Sequence, residues 1–526
     1  MIKKWFSLLF LLAMLVSTSA HAAGYRYNMS YIYFGDSSNY SQLVANTEHS
    51  LDEVAPAYFT LEENGSLQFT PALSSSFIRE MHQSGILVVP YLTNDWDPDK
   101  GIAALNNRET LTTQLAEAVS AYDLDGVNID LENLTPDERN SLVDFVRLLR
   151  SKLPEGKRIA VAVAANPTGT TAGWEGSFDY AGLAEYSDYL MLMAYDESYN
   201  GSKPGPVASY SFVEKSLQYA LSMVPKEKIV LGLPFYGRIW SDSGSDPSGY
   251  GISNTMVETL VENYNGVVTF DSVSKAARAT ITIRASDAKP TINGKPLAAG
   301  TYTIWYSGEQ SLKAELELVN RYQIKGTGSW SLGQETEDTW SYFKLWLNGC
   351  TFSDIQYSWA KESILTAYLN GWMLGTSSDA FPPNAPVTRA QAAAVLTRLL
   401  DLPVQADAAY RFSDCSGHWA EAYIDTARKY GIVSGVGSNF FAPDRPVTRE
   451  EMAVMLSNVL EASGDGASLS FTDITADLWS YDSITALSGE KILTGYPDGS
   501  FRPKNQITRA EMAAIMARID SASLKP

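Results

Sequence analysis

The run Asp125-Gly126-Val127-Asn128-Ile129-Asp130-Leu131-Glu132 decides the fold and points to the chemistry. Read as a strand, it sends successive side chains to opposite faces. Val127, Ile129 and Leu131 share one face, and Asn128, Asp130 and Glu132 share the other. In a barrel the apolar row meets the outer helices and the polar row points inside. Barrel interiors are normally filled with branched apolar groups, so three polar side chains there are costly unless they serve a purpose. Glu132, last in the row, falls at the C-terminal mouth, where such barrels carry out chemistry. Two stacked carboxyls cannot both ionise freely, so one proton affinity rises and a protonated acid is available near neutral pH. The competing role for Glu132 is a buried structural carboxylate network.

Working outward, β-rich runs alternate with helix-length segments between Gly24 and about Leu345. Such runs are Ile86-Leu87-Val88-Val89-Pro90-Tyr91, Ile159-Ala160-Val161-Ala162-Val163-Ala164, Tyr189-Leu190-Met191-Leu192-Met193-Ala194-Tyr195 and Ile229-Val230-Leu231-Gly232-Leu233-Pro234. This alternation implies a parallel sheet, and the length suits a closed (β/α)₈ TIM barrel of the α/β class over residues 24–345. From about Tyr250 to Gly300 the rhythm breaks into β-type runs with Asn, Gly and Pro turns. That stretch is expected to be a small α+β insertion walling one side of a cleft.

Composition narrows the function classes. The chain has 526 residues, enough for more than one core, with 45% hydrophobic and 19% charged residues, as in soluble globular proteins. A net charge of −20 argues against nucleic-acid binding, which needs clustered cations. Lys3 and Lys4, the apolar run Phe6 to Val16 and Ala20-His21-Ala22 read as a cleaved secretory signal over residues 1–22. The run is too short to span a bilayer, and no transmembrane segment is expected. Cys350 and Cys415 are expected as isolated thiols or one incidental bridge. The four histidines lack metal-binding spacing, so neither metal nor cofactor is expected.

The C-terminal third repeats itself. Phe352-Ser353-Asp354, Phe412-Ser413-Asp414 and Phe471-Thr472-Asp473 open three units, followed by Trp359, Trp419 and Trp479. Apolar turns end at Gly375, Gly435 and Gly495, and the units close with Thr388-Arg389-Ala390-Gln391, Thr448-Arg449-Glu450-Glu451 and Thr508-Arg509-Ala510-Glu511. Thr followed three residues later by Glu or Gln is a capping box that opens a helix. The box leaves Arg389, Arg449 and Arg509 unexplained, since a cation in a first helical turn opposes the helix dipole. An arginine held there three times suggests that an anion such as a glycan carboxylate is received. These units resemble S-layer homology (SLH) domains, over residues 352–405, 412–464 and 471–526. The resemblance implies a mainly helical three-repeat module gripping an anionic secondary wall polymer of a Gram-positive-type bacterium, with Arg389, Arg449 and Arg509 as its binding residues. Repeat one departs from the pattern at Gln391 and at the turn Thr376–Phe381, so its groove fits the family least.

The barrel region resembles glycoside hydrolase family 18. The strand carries the D-x-x-D-x-D-x-E signature with one change, followed in family order by Met193-Ala194-Tyr195-Asp196, Gly232-Leu233-Pro234-Phe235-Tyr236-Gly237-Arg238-Ile239-Trp240 and Trp330-Ser331-Leu332-Gly333-Gln334-Glu335. The resemblance implies substrate-assisted, retaining hydrolysis. Glu132 would protonate the leaving oxygen and later deprotonate water, while the substrate's acetamido oxygen attacks the anomeric carbon. Asp130 would orient the acetamide and stabilise the oxazolinium, Tyr195 would hold its carbonyl, and Trp330 would floor the sugar. Met193, Asp196, Tyr236 and Arg238 would line the same subsite. Met193 and Tyr236 equally suit barrel packing, and Arg238 an ion pair. Trp96, Trp240 and Trp305 are either cleft extensions or core.

Asn128 stands where most chitinases of this family carry Asp. An amide neither shares a proton with Asp130 nor carries charge, which predicts a shifted pH profile and a lower rate. The G-V-N-I-D-x-E form resembles the branch of spore-cortex-lytic N-acetylglucosaminidases, so peptidoglycan is the expected glycan partner, with chitin as the alternative substrate. A wall-held lectin that binds without cutting is a different class, and the intact Glu132 argues against it. The repeats could also drive self-assembly into a lattice instead of anchoring.

Overall fold

The computed structural model describes residues 25–460, 471–519 and 524. The expected leader at 1–22 lies outside the described residues, as do the end of repeat two and most of the tail of repeat three. Two compact units are resolved, Arg26–Thr351 and the part beginning at Phe352.

In the first unit, parallel strands close into a ring: Tyr27–Ile32, Glu53–Pro56, Leu87–Val88 continuing as Tyr91–Thr93, Gly126–Asp130, Arg158–Ala164, Tyr189–Met193, Ile229–Pro234 and Gly326–Trp330. Pairing of Gly326–Trp330 with both Ile229–Pro234 and Tyr27–Ile32 closes the seam. The third strand is interrupted around Pro90, which has no N–H to give its neighbour but still accepts from the Asn128 N–H at 2.9 Å. Val127 and Ile129 are fully buried beneath the outer helices, whose apolar faces include Leu111, Leu115, Phe145 and Leu149. Inside the ring a layer of Met29, Tyr31, Tyr91, Ala162, Met191 and Met193 fills the barrel. Gly232 keeps space open in that layer: a Cβ there would meet the Leu192 carbonyl at 2.6 Å and the Tyr195 ring at 3.0 Å.

The insertion is wider than the 250–300 stretch expected from turn residues. It starts at Tyr236–Ser241, directly after the seventh barrel strand, and ends with Gly300–Tyr306. These strands join Ser248–Ser253, Ala276–Ile283 and Val267–Asp271 in a five-stranded sheet paired antiparallel throughout. One sheet face packs Ile239, Ile304, Ala279 and Ile281 against helix Asn254–Asn263 through Val257 and Leu260. The early start was hidden because Tyr236–Ser241 follows a barrel strand with only Phe235 between them.

The second unit is a closed cycle of three repeats, each with two helices: Lys361–Leu369 and Arg389–Leu399, Glu421–Lys429 and Arg449–Val459, Tyr481–Gly489 and Arg509–Met516. Thr388, Thr448 and Thr508 each form the expected capping box with Gln391, Glu451 and Glu511. The motifs have local causes. Asp354, Asp414 and Asp473 accept the backbone N–H of Phe381, Phe441 and Phe501, pinning each turn. A Cβ at Gly375, Gly435 or Gly495 would press into the ring of Phe352, Phe412 or Phe471 at 2.4, 2.6 and 2.5 Å. Backbone bonds Val447 N–H to Val387, Ile507 N–H to Val447 and Val387 N–H to Ile507 complete the cycle.

Candidate active site

Strand alternation places Asn128 and Asp130 inside the barrel, where they are 0% and 5% exposed. Glu132 follows just past the strand end at the mouth and is half-buried. Its backbone is held by Asn94, whose Nδ2 donates to the Glu132 carbonyl and whose Oδ1 accepts the Glu132 N–H, both at 2.8 Å. Asn94 is fully buried, so this clasp is shielded from competing water. Asn128 Nδ2 donates to the Tyr31 hydroxyl at 3.0 Å. Asn128 Oδ1 and Asp130 Oδ1 are buried and have no hydrogen-bond partner among the described residues. Orphaned acceptors cost free energy and, in a native site, mark a place for a proton or a ligand donor.

The electrostatics separate the roles. Burial pushes the Asp130 carboxyl up to about 7. Glu132 is held well above the ordinary carboxylate range, by burial first and then by the negative charges of Asp130 and Asp196. Both effects favour the protonated form of Glu132, beside a carboxyl whose own proton affinity is raised by burial. Tyr195 is raised as well, by burial and then by Tyr236, Asp130, Glu132 and Asp196, which keeps its phenol a hydrogen-bond donor.

Around this pair the other expected residues divide. Trp330 stands beside Tyr31 and Tyr33, with ring centroids 5.3 and 5.5 Å away. Tyr236 packs edge-on to Tyr195 at 6.1 Å. Arg238 makes the ion pair left open above: Nε and Nη2 donate to Asp196 Oδ1 at 2.9 and 2.7 Å, and Nη1 to the Gly249 carbonyl at 3.0 Å. Met193, 7% exposed, belongs to the interior layer. Of the further tryptophans, Trp96 is 51% exposed and stacks edge-on with Trp174 at 5.2 Å, whereas Trp240 is 3% exposed. Sequence reasoning missed Asn94, Trp174 and the exposed pair Tyr33 and Phe34. The last two follow the first barrel strand, and that position was the available signal.

The three repeat arginines have a different environment from the one expected. Each is at least nine-tenths buried and reaches into another repeat. Arg389 donates to the Phe441 and Ser434 carbonyls at 2.7 Å each, Arg449 to Phe501 and Thr494 at 2.8 and 2.9 Å, and Arg509 to Phe381 and Leu374 at 2.7 and 2.6 Å. Arg389 and Arg449 also pair with Glu451 and Glu511 at 3.5 and 3.1 Å. The negative partner sought in a ligand is thus supplied in large part by the protein. Beside Arg449 and Glu511 lies a cavity of about 530 Å³, edged by Trp359 and Tyr496. Neither cysteine is in a disulfide. Among the described residues no cluster of His, Cys, Asp and Glu is placed to hold a metal ion, and no helix is long and apolar enough to cross a membrane.

A closed barrel with a buried acid–carboxylate pair at its mouth defines a glycosidase class of site. Residues 29–335 match the family Glycosyl hydrolases family 18, more than half of the chain, and the protein belongs to that family. Residues 351–393, 411–453 and 470–513 each match the S-layer homology domain. Among relatives, the sporulation-specific glycosylase YdhD of Bacillus subtilis (strain 168) is 28% identical over 43% of this chain and 52% of its own length. The chain therefore spans about half of that relative. The cortical fragment-lytic enzyme of the same organism is 25% identical over 58% of this chain and 70% of its own. In structure, the barrel resembles the Bacillus cereus spore cortex-lytic enzyme SleL, with a TM-score of 0.52 at 19% identity, covering 61% of this chain and 74% of the other. A chitinase from Chromobacterium violaceum gives a TM-score of 0.54 at 24% identity, covering 61% and 99%. These two likenesses show the fold.

Proposed function

We propose that this chain is a secreted, wall-anchored glycosidase. It cleaves β-1,4 linkages of N-acetylglucosamine-containing glycan, peptidoglycan foremost, with retention through the substrate's own acetamide. The observation that carries the reading is the Glu132–Asp130 pair: a protonated acid at the barrel mouth beside a buried carboxyl with a free oxygen. Glu132 gives its proton to the glycosidic oxygen as that bond breaks. The acetamido oxygen attacks the anomeric carbon, and the resulting cation is stabilised by ionised Asp130, whose free Oδ1 accepts the acetamide N–H. Tyr195 donates to the acetamide oxygen, and Trp330 offers an apolar face to the ring. Glu132, now ionised, deprotonates the water that opens the oxazolinium.

Peptidoglycan is favoured over chitin by Asn128 and by the cortex-directed names of the relatives. The anchor also favours it, because repeats that grip the wall raise the local concentration of that substrate. We assign the repeats to an anionic wall polymer, with the Arg449 cavity as its groove. Mass analysis of products from a defined peptidoglycan digest tests the reading. Reducing ends on N-acetylglucosamine are expected; reducing ends on the muramic residues, or turnover of chitotetraose with none of peptidoglycan, contradict it.

A further inference from the structure

Two walls leave the Arg238–Asp196 ion pair and meet again a short way off. One is the loop from Asp196 to Pro204 and the other is the insertion strand Tyr236–Ser241. They are joined where the Trp240 indole N–H donates to the Ser202 carbonyl at 3.0 Å. Beside this junction lies a cavity of about 670 Å³ lined by Lys203, Trp240, Ser241, Ser245, Arg278 and Trp305, among others.

Register fixes how the cavity relates to the reaction centre. Arg238 lies directly opposite Trp305, and Trp305 directly opposite Arg278, so the three share one face of the sheet. Arg278 is two strand spacings, about 10 Å, beyond Arg238 on that face. Its guanidinium lies over the Trp305 ring at 5.9 Å. Whatever occupies the cavity is therefore next to a sugar held at Asp196.

The charge of the cavity identifies the occupant. Among the described residues no carboxylate is within ion-pair distance of Lys203 or Arg278, although all the other arginines named above have acceptors. The acid in the lining, Asp242, accepts from the Thr303 hydroxyl at 2.9 Å and offsets one of the two cations without pairing with either, so the lining keeps a net positive charge. Ser241, Ser243 and Ser245 chain their hydroxyls at 2.8 Å along the rim. In a protein of net charge −20, two neighbouring cations outside any ion pair, with a hydroxyl rim and a net positive lining, form an anion-receiving pocket. A neutral N-acetylglucosamine polymer has nothing to offer them. Peptidoglycan does, since its muramic residues carry short peptides with free carboxylates. We infer that this pocket receives a carboxylate of the stem peptide and selects peptide-bearing glycan over bare glycan. The inference rests on the hydrolase reading above and deepens it.

The test compares the full-length protein with its Lys203→Gln/Arg278→Gln double variant on two glycans: intact peptidoglycan, and the same peptidoglycan with its peptide carboxylates converted to neutral amides by carbodiimide coupling with ammonia. Both cations are exposed, so the expected loss is modest: kcat/KM falls about fivefold on the carboxylate-bearing glycan, through KM, and stays unchanged on the amidated glycan. High salt should erase the wild-type preference. An active wild type whose variant matches it on both glycans, or loses equally on both, overturns the pocket assignment alone. A wild type inactive on both overturns the hydrolase reading and the pocket with it.

Discussion

Asn94 holds Glu132 by the backbone, donating to its carbonyl and accepting its N–H, each at 2.8 Å. Glu132 is thereby fixed where the strand's own ladder has ended, with its side chain outside the clasp. Asn94→Ala should lower kcat by about ten- to a hundredfold with little change in KM, because misplacing the acid harms the transition state more than binding. Steady-state kinetics on soluble glycan fragments check this, with thermal unfolding alongside to register a stability loss of about 1–3 kcal/mol from the opened buried bonds.

The raised Asp130 carboxyl links stability to pH. Its proton is lost near 3.8 when unfolded but only at about 7 when folded. Between those values the folded state binds more protons, so stability is highest below about pH 4 and declines as pH rises to about 7. Asp130→Asn removes this decline. Its melting temperature relative to wild type should rise by several degrees between pH 4 and pH 8. A difference that does not vary with pH contradicts the assignment.

Asn128→Asp places a third carboxyl beside the pair, where its charge opposes ionisation of Asp130 and Glu132. The alkaline limb of the kcat/KM profile, set by loss of the Glu132 proton, should move to higher pH. A pH–rate comparison of the two proteins measures it.

Arg449 spans two carbonyls and Glu511 across a repeat boundary while nine-tenths buried. Arg449→Ala strands those acceptors and should destabilise the repeat module by about 3 kcal/mol. Arg449→Lys should recover little of it, since a single ammonium cannot bridge the fork. Calorimetry should show the loss in the transition of the repeats, with turnover of soluble glycan fragments by the barrel unchanged.

How much of this was legible in the chain depended on distance along it. The alternation of Asn128, Asp130 and Glu132 with Val127, Ile129 and Leu131 is local, so both faces of that strand could be read directly. The capping boxes of Thr388, Thr448 and Thr508 are equally local, and they formed as expected. The Asn94 clasp was not legible, because its partner is the backbone of a residue 38 positions away. Nor was the seat of Arg389, whose acceptor at Phe441 lies 52 positions on and is met only when the repeats close into a cycle. Tyr236–Ser241 was read with the barrel because it shares the β-pattern of the strand before it, and only pairing partners distinguish the two sheets.

The most direct test of the account is reducing-end release from purified peptidoglycan by wild type and by Glu132→Gln, a change that keeps the shape of the side chain and removes its proton. Wild type should release reducing ends steadily, and the variant, with an unchanged melting profile, should fall at least a thousandfold. Comparable release by a folded Glu132→Gln protein would show that the proton comes from elsewhere and would contradict the mechanism at its source.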